Sequence, residues 1–214
     1  MSIIQQIIYI SSGIGITFRL VPCVMIAALV CGTVIGVIQF QRFPVISWII
    51  DLYILIMRGA PPLVVILLLF YTLHVPNSFM AAFVCLTVYH SAYVAEIVRG
   101  GFEAIPRGQM MAGESLGLSY WTIMFRIYVP QVALHIIPSL CGQLILVIKD
   151  STLVSVVGLE DIMWATRQLV TITFNPMLAY FLIFVLYYFI CLVVEIVGNR
   201  AERALSHSVK VLEH

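Results

Sequence analysis

Gln143 and Asp150 stand seven residues apart in an otherwise apolar run, "CGQLILVIKDST". Seven residues are two helical turns, so in a helix these side chains share one face. A carboxylate there suits a ligand ammonium group, and a neutral amide can donate to or accept from a second polar group. If both face a cavity, the pair favours a zwitterionic, uncharged solute over a cationic one. Ser151 and Thr152 add hydroxyls at the same level. The plainer alternative is that Asp150 caps the next helix through its N–H groups, and the two roles are compatible. His90 and Ser91, in "VYHSAY", fall mid-way along another apolar run. Such residues line a solute path or bond to a neighbouring helix. Glu96 and Arg99, three apart, can pair on one helix face. Glu195 is expected to meet a basic residue or the headgroup region. Arg58 precedes tandem prolines, and its expected part is to hold the kinked backbone together.

The elements that position these residues follow from composition. Of 214 residues, 62% are hydrophobic and only 10% are charged. A soluble domain carries about a quarter charged residues, so a bilayer is the natural solvent here. The net charge of +1 gives no reason to expect nucleic acid as a partner. Cys23, Cys31, Cys85, Cys141 and Cys191 lie in apolar runs without metal-ligand spacing. They read as small buried hydrophobes, and no metal is expected. The start shows no basic region or cleavage site of a signal peptide, and the final "LEH" reads as a tag remnant.

A membrane-crossing helix needs about 20 apolar residues. Hydropathy places five spans at about 15–38, 61–75, 78–98, 128–148 and 176–198. Residues 45–57 form an interfacial helix, cut from the second span by "RGAPP" at 58–62, because tandem prolines remove two backbone donors. Short helices are expected within 149–176. The expected fold is an all-α integral membrane protein. It is one transmembrane domain over 1–200 with a cytoplasmic tail at 201–214. Basic residues set the orientation. With the N-terminus outside, Arg42, Arg99, Arg107, Arg126, Arg200, Arg203 and Lys210 are cytoplasmic, and only Lys149 and Arg167 are clearly external. Arg58 then sits near the inner side and Arg19 near the outer end of the first span.

In that orientation the polar segment "GQMMAGESLGLSYWTIMFRIYVPQ" (108–131) faces the cytoplasm. Pro106 suits the first turn of a helix. Gly117 can take the left-handed conformation that ends one. Ser119 can cap a second short helix, "YWTIMFRI", and Pro130 marks the start of the fourth span. Displayed apolar residues of this kind suit a groove on a partner protein or the membrane surface.

The spacing separates those two. Gly117, nine residues, Ile127, one residue, Val129 and Pro130 resemble the "G-x9-I-x-L-P" end of the EAA loop of ABC importer membrane subunits. "AYVAEIVRGGFEAIPRGQ" at 92–109, "RGAPPLVV" at 58–65 and "KDSTLVSVVGLEDI" at 149–162 resemble, in order, the blocks of permeases of the polar amino acid uptake family. The resemblance covers about residues 15–200. Two positions depart from it. Met111 and Gly113 replace the first and third residues of the EAA triplet, leaving Ala112. Gly142 and Gln143 stand where the family often has asparagine and an acidic or amide residue.

The resemblance implies a type I ABC importer permease fold and the role of translocation subunit in amino acid uptake. It implies coupling to the ATPase through Gln109, Met111, Ala112, Gly113, Glu114, Gly117 and Leu118. It implies three kinds of partner: an ABC ATPase dimer, a second permease (identical or paralogous) and an extracytoplasmic substrate-binding protein. The place is a bacterial inner membrane. The chain has no G-x4-GK[ST] loop, since neither Lys149 nor Lys210 follows a glycine. It is therefore not expected to be an enzyme by itself or to hold a cofactor, and ATP and Mg belong to the partner ATPase. The rival readings are an ion-coupled secondary transporter or channel subunit, and a membrane scaffold without a polar path.

Overall fold

The computed structural model describes residues 2–212, with side chains to residue 200. Arg203, Lys210 and the tag-like end of the tail lie outside the described side chains. The described residues are helical throughout, without strands. Four helical stretches are long and apolar enough to cross a bilayer, five when one bent pair counts as a span. An N-terminal helix α1 (Ile3–Ser11) was not expected from hydropathy. Its signal is a capping box: Ser2 accepts from the Gln5 N–H and the Gln5 side chain returns to the Ser2 N–H.

α2 (Ile14–Phe40) and α5 (Ser78–Glu103) form the central pair. They meet through small residues. A Cβ at Gly32 would stand 2.6 Å from the Val94 Cβ, and one at Gly36 would stand 2.5 Å from the Ala95 carbonyl oxygen. Close backbone approach through small residues four apart is a membrane solution, because lipid supplies no hydrophobic drive between helices. Leu20, Val24, Ile66, Leu86 and Val147 fill one core cluster, and Ala28, Val94, Val98, Ile123 and Tyr128 a second.

The break at "RGAPP" is real. α3 (Pro44–Gly59) and α4 (Pro62–Leu73) are bent by 119°. α3 does not simply rest at the surface. Its Ile54 packs on Ala92 and Ala95 of α5, its Asp51 accepts from Gln39 of α2 at 2.6 Å, and its Tyr53 hydroxyl meets Ser91 at 2.7 Å.

The expected separation of a second loop helix from the fourth span does not hold. α7 (Tyr120–Ile123) runs through a wide π turn, Met124–Tyr128, into α8 (Val129–Asp150). Pro130 explains this: it has no N–H for the carbonyl of Arg126, and the wide turn takes up its ring. A tight 3₁₀ segment, Ser151–Val157, follows, then α9 (Ile162–Thr173) and α10 (Pro176–Leu212).

Asp161 caps α9, accepting from the Trp164 N–H at 2.8 Å. It is fully buried beside Gly13, and its second oxygen has no partner among the described residues. Burial pushes its carboxyl up to about 6. A carboxyl with a higher pKa folded than unfolded adds stability as pH falls from about 6 toward 4. The thermal midpoint of the protein minus that of Asp161→Asn is therefore expected to grow between pH 7.5 and pH 5. A difference that shrinks would contradict a buried, poorly solvated carboxylate.

Candidate functional site

The site is built on one face of α5 and the facing turns of α8 and α3. His90 is 1% exposed and lies between the two residues that the sequence put on a common face. Its Nδ1 is 2.7 Å from the Gln143 amide nitrogen, and its Nε2 is 3.6 Å from an Asp150 oxygen. The Gln143 amide donating to Nδ1 leaves the proton on Nε2, aimed at Asp150. Gln143 is 4% exposed, whereas the Asp150 side chain keeps 22%. Asp150 is thus the accessible end of the group, near His90 Nε2 but not hydrogen-bonded to it; that nitrogen has no hydrogen-bond partner among the described residues. It does not cap the 3₁₀ segment, since its side chain accepts no bond from the N–H groups there. Gln143 spends its amide nitrogen on His90, so that nitrogen is already engaged by the protein.

The other hydroxyls bond to carbonyls of the preceding turn, and Ser91 also meets the Tyr53 hydroxyl of α3. Ser91 donates to the Val88 carbonyl, Ser151 to Ile148 and Thr152 to Lys149. Ser91 and Ser151 are buried and Thr152 is partly exposed. The structure therefore joins His90, Gln143 and Asp150 and leaves Ser91, Ser151 and Thr152 outside the constellation.

Two residues missed by the sequence reading extend the face along α5. The Tyr89 and Tyr93 hydroxyls are 2.9 Å apart, and the Tyr89 ring meets His90 edge-on. Tyr89, Tyr93 and Glu96 are spaced i, i+4, i+7, a pattern that was readable in "YHSAYVAE". Below them lies a cleft of about 810 Å³ lined by Gln39, Arg42, Asp51, Arg58, Glu96 and Arg99 among others. Glu96 and Arg99 pair as expected, at 2.5 and 3.1 Å, and Arg99 reaches Glu103 at 2.7 Å. Arg42 stands 3.6 Å from Glu103. Arg58 does not brace the kink. It crosses to α5, 3.4 Å from Glu96 and with its guanidinium 5.7 Å from the Tyr93 ring centre.

The loop between α5 and α8 is compact. α6 spans Arg107–Ser115, with Pro106 one residue before it in extended conformation. Gly117 has φ +74°. Its N–H bonds to the Glu114 carbonyl at 2.9 Å, and the Leu118 N–H to the Gly113 carbonyl at 3.1 Å. This is a Schellman ending, which demands a left-handed residue at that place. Ser119 caps α7 through the Thr122 N–H. Gly113 lets α6 approach α7, since a Cβ there would be 2.8 Å from Ile123 side-chain atoms. Gln109 and Gln131 exchange amide bonds at 3.0 and 2.8 Å, tying α6 to α8. Met111, Leu116, Leu118, Trp121 and Phe125 are left exposed, and so are Ala112 and Glu114.

A broken span, a polar face along a central helix and a compact turn between spans are the geometry to compare with known proteins. The family described as "Binding-protein-dependent transport system inner membrane component" matches residues 26–207. The chain belongs to this family. The permease is 32% identical over 207 residues to the arginine transport system permease protein ArtQ of Bacillus subtilis, covering 94% of each chain. It is 30% identical to the glutamate/aspartate import permease protein GltK of Escherichia coli O6:H1, covering 75% of this chain and 77% of that one. A crystal structure of an amino acid ABC transporter with histidines contains a chain of the same fold. That chain has TM-score 0.87 and 28% identity, with 95% of this chain and 97% of that one covered. The permease is a multi-pass inner-membrane subunit of an ABC importer of type I fold, and the ion-coupled transporter or channel reading is not favoured.

Proposed function

We propose that this permease forms the inward path for an amino acid and is driven by a separate ATPase. The observation that carries the reading is the cluster of Gln143, His90 and Asp150. It ends in one partly accessible carboxylate on the helix that leads down to the cytoplasmic loop. Asp150 meets the substrate ammonium group, and His90 and Gln143 position it. The relatives are permeases for arginine and for glutamate/aspartate. A contact common to both is the amino acid head group, and Asp150 suits that head.

The partners are an ABC ATPase dimer carrying ATP and Mg, an extracytoplasmic substrate-binding protein and a second permease, identical or paralogous. Docking on the ATPase uses the surface of Met111, Leu116 and Leu118. Met111 replaces a charged contact by an apolar one that fits a hydrophobic groove. Closure of the ATPases moves α6 as a rigid body, and the path opens to alternate sides. The test is substrate-stimulated ATPase activity of the complex in vesicles, across a panel of amino acids. Stimulation by some of the panel is expected. Absence of any co-purifying ATPase would overturn the reading.

The orientation proposed is N-terminus outside and C-terminus cytoplasmic. A cysteine placed at Pro76, beside Asn77, in a background without the native cysteines should react with an impermeant maleimide from the periplasmic side only. Labelling from the cytoplasmic side would reverse the orientation and detach the loop from any cytoplasmic partner.

A further inference from the structure

Arg58 differs from the other arginines of the inner cleft. Arg99 is saturated: Nε and one terminal nitrogen hold both Glu96 oxygens, and the other terminal nitrogen holds Glu103. The Arg42 side chain is 76% exposed and out at the rim. Among the described residues Arg58 has a single carboxylate within 4 Å, at 3.4 Å, and the Glu96 oxygen concerned already accepts from Arg99 at 2.5 Å. A guanidinium offers five N–H donors in a planar fork, so most of this one is unspent. The side chain is 44% exposed and lines the cleft of about 810 Å³.

Its depth makes that unusual. Glu96, its neighbour, lies about 8 Å inward of the middle of α5 by helical rise, within the roughly 15 Å half-thickness of a hydrocarbon core. An under-paired cation at that depth is costly unless it faces a wet cavity, and it marks a path for a solute. The break at Arg58–Pro62 delivers it there, because α3 stops and turns at that level.

The ligand chemistry follows from the surroundings. The cleft holds three guanidinium groups, Arg42, Arg58 and Arg99, and three carboxylates, Asp51, Glu96 and Glu103. A net anion would meet those carboxylates, whereas a zwitterion brings no net charge into a balanced cleft. The planar fork matches a carboxylate, and Tyr93 backs it on one side. We infer that Arg58 binds the α-carboxylate of the transported amino acid in the inner cleft, one step inward of Asp150. This rests on the amino acid reading above, and it adds a second contact, to the other end of the head group.

The test is equilibrium binding to the whole permease–ATPase complex, nucleotide-free and without the binding protein, whose own selectivity would mask the effect. Saturation-transfer NMR with L-arginine, L-glutamine and L-glutamate is compared with their α-amides, which keep the ammonium group and lose the carboxylate. At least one acid is expected to bind about tenfold or more tightly than its amide, as a charge-assisted contact should give. Arg58→Gln should bind acid as weakly as amide, with Arg58→Lys between. Glu96 stays paired to Arg99 in both variants, so assembly should survive. An Arg58→Gln complex that still prefers the acid as the parent does overturns the assignment. So does a parent complex blind to the difference, or loss of assembly in both variants, which would make Arg58 a clamp. Asp150→Asn should weaken acid and amide alike. Failure of that arm counts against the Asp150 reading and leaves Arg58 standing, while a parent that binds none of the three acids sinks both.

Discussion

Asp150→Asn is expected to lower amino acid uptake by an order of magnitude or more, with expression, assembly and basal ATPase activity unchanged. The substitution keeps the shape and removes the charge. Were Asp150 only a helix cap, Asn would serve nearly as well, and uptake would barely change. The geometry argues against the cap, because no N–H of the following 3₁₀ segment bonds to the carboxylate. What meets it is His90 Nε2 at 3.6 Å, a ring locked from behind by Gln143 at 2.7 Å. A charged contact to a substrate ammonium is worth roughly 1.5–3 kcal/mol, which corresponds to at least tenfold in binding. Uptake in vesicles containing the whole complex measures it. Near-normal uptake would take Asp150 out of the path. A matching fall in folded protein would make the residue structural.

Much of this was legible in the chain, for identifiable reasons. Spans are readable because lipid demands long apolar runs. Gly117 and Ser119 are readable because their backbone roles are local: one needs φ > 0, the other needs only the next three residues. Gln143 and Asp150 share a face by helical arithmetic alone. Their link through His90 was not readable, since it joins residues 53 apart on two helices, and spacing within one helix says nothing about its neighbour. Arg58 failed for the same reason. Beside two prolines it looks like a brace for its own kink, and only the path of α3 across α5 shows that its partners are Glu96 and Tyr93. The π turn at Met124–Tyr128 hid behind Pro130, which was read as a boundary when it only widens a continuous helix.

The second large effect is expected at Gly117. Gly117→Val should insert and fold in the membrane yet lose transport and most of its bound ATPase. The reason is backbone and not crowding, since no atom of the described residues lies within 4 Å of a Cβ built there. At φ +74° a left-handed residue costs a non-glycine about 1–2 kcal/mol, and a β-branched one is a genuine outlier. The strain falls on the two bonds that close the turn, Gly117 N–H to Glu114 and Leu118 N–H to Gly113. If they open, α6 loses its fixed angle to α7, and with it the contact of Gly113 on Ile123. The exposed group of Met111, Leu116 and Leu118 then no longer forms one surface. A control separates this from a contact effect. Asn tolerates the left-handed region far better than Val, so Gly117→Asn should retain most ATPase binding and uptake although its side chain is larger than glycine's. The measurement is the amount of ATPase recovered with affinity-purified permease, alongside uptake. Equal losses in both variants would mean that the position itself touches the partner. Normal recovery with Val would mean that this turn does not carry the force from ATP to the path.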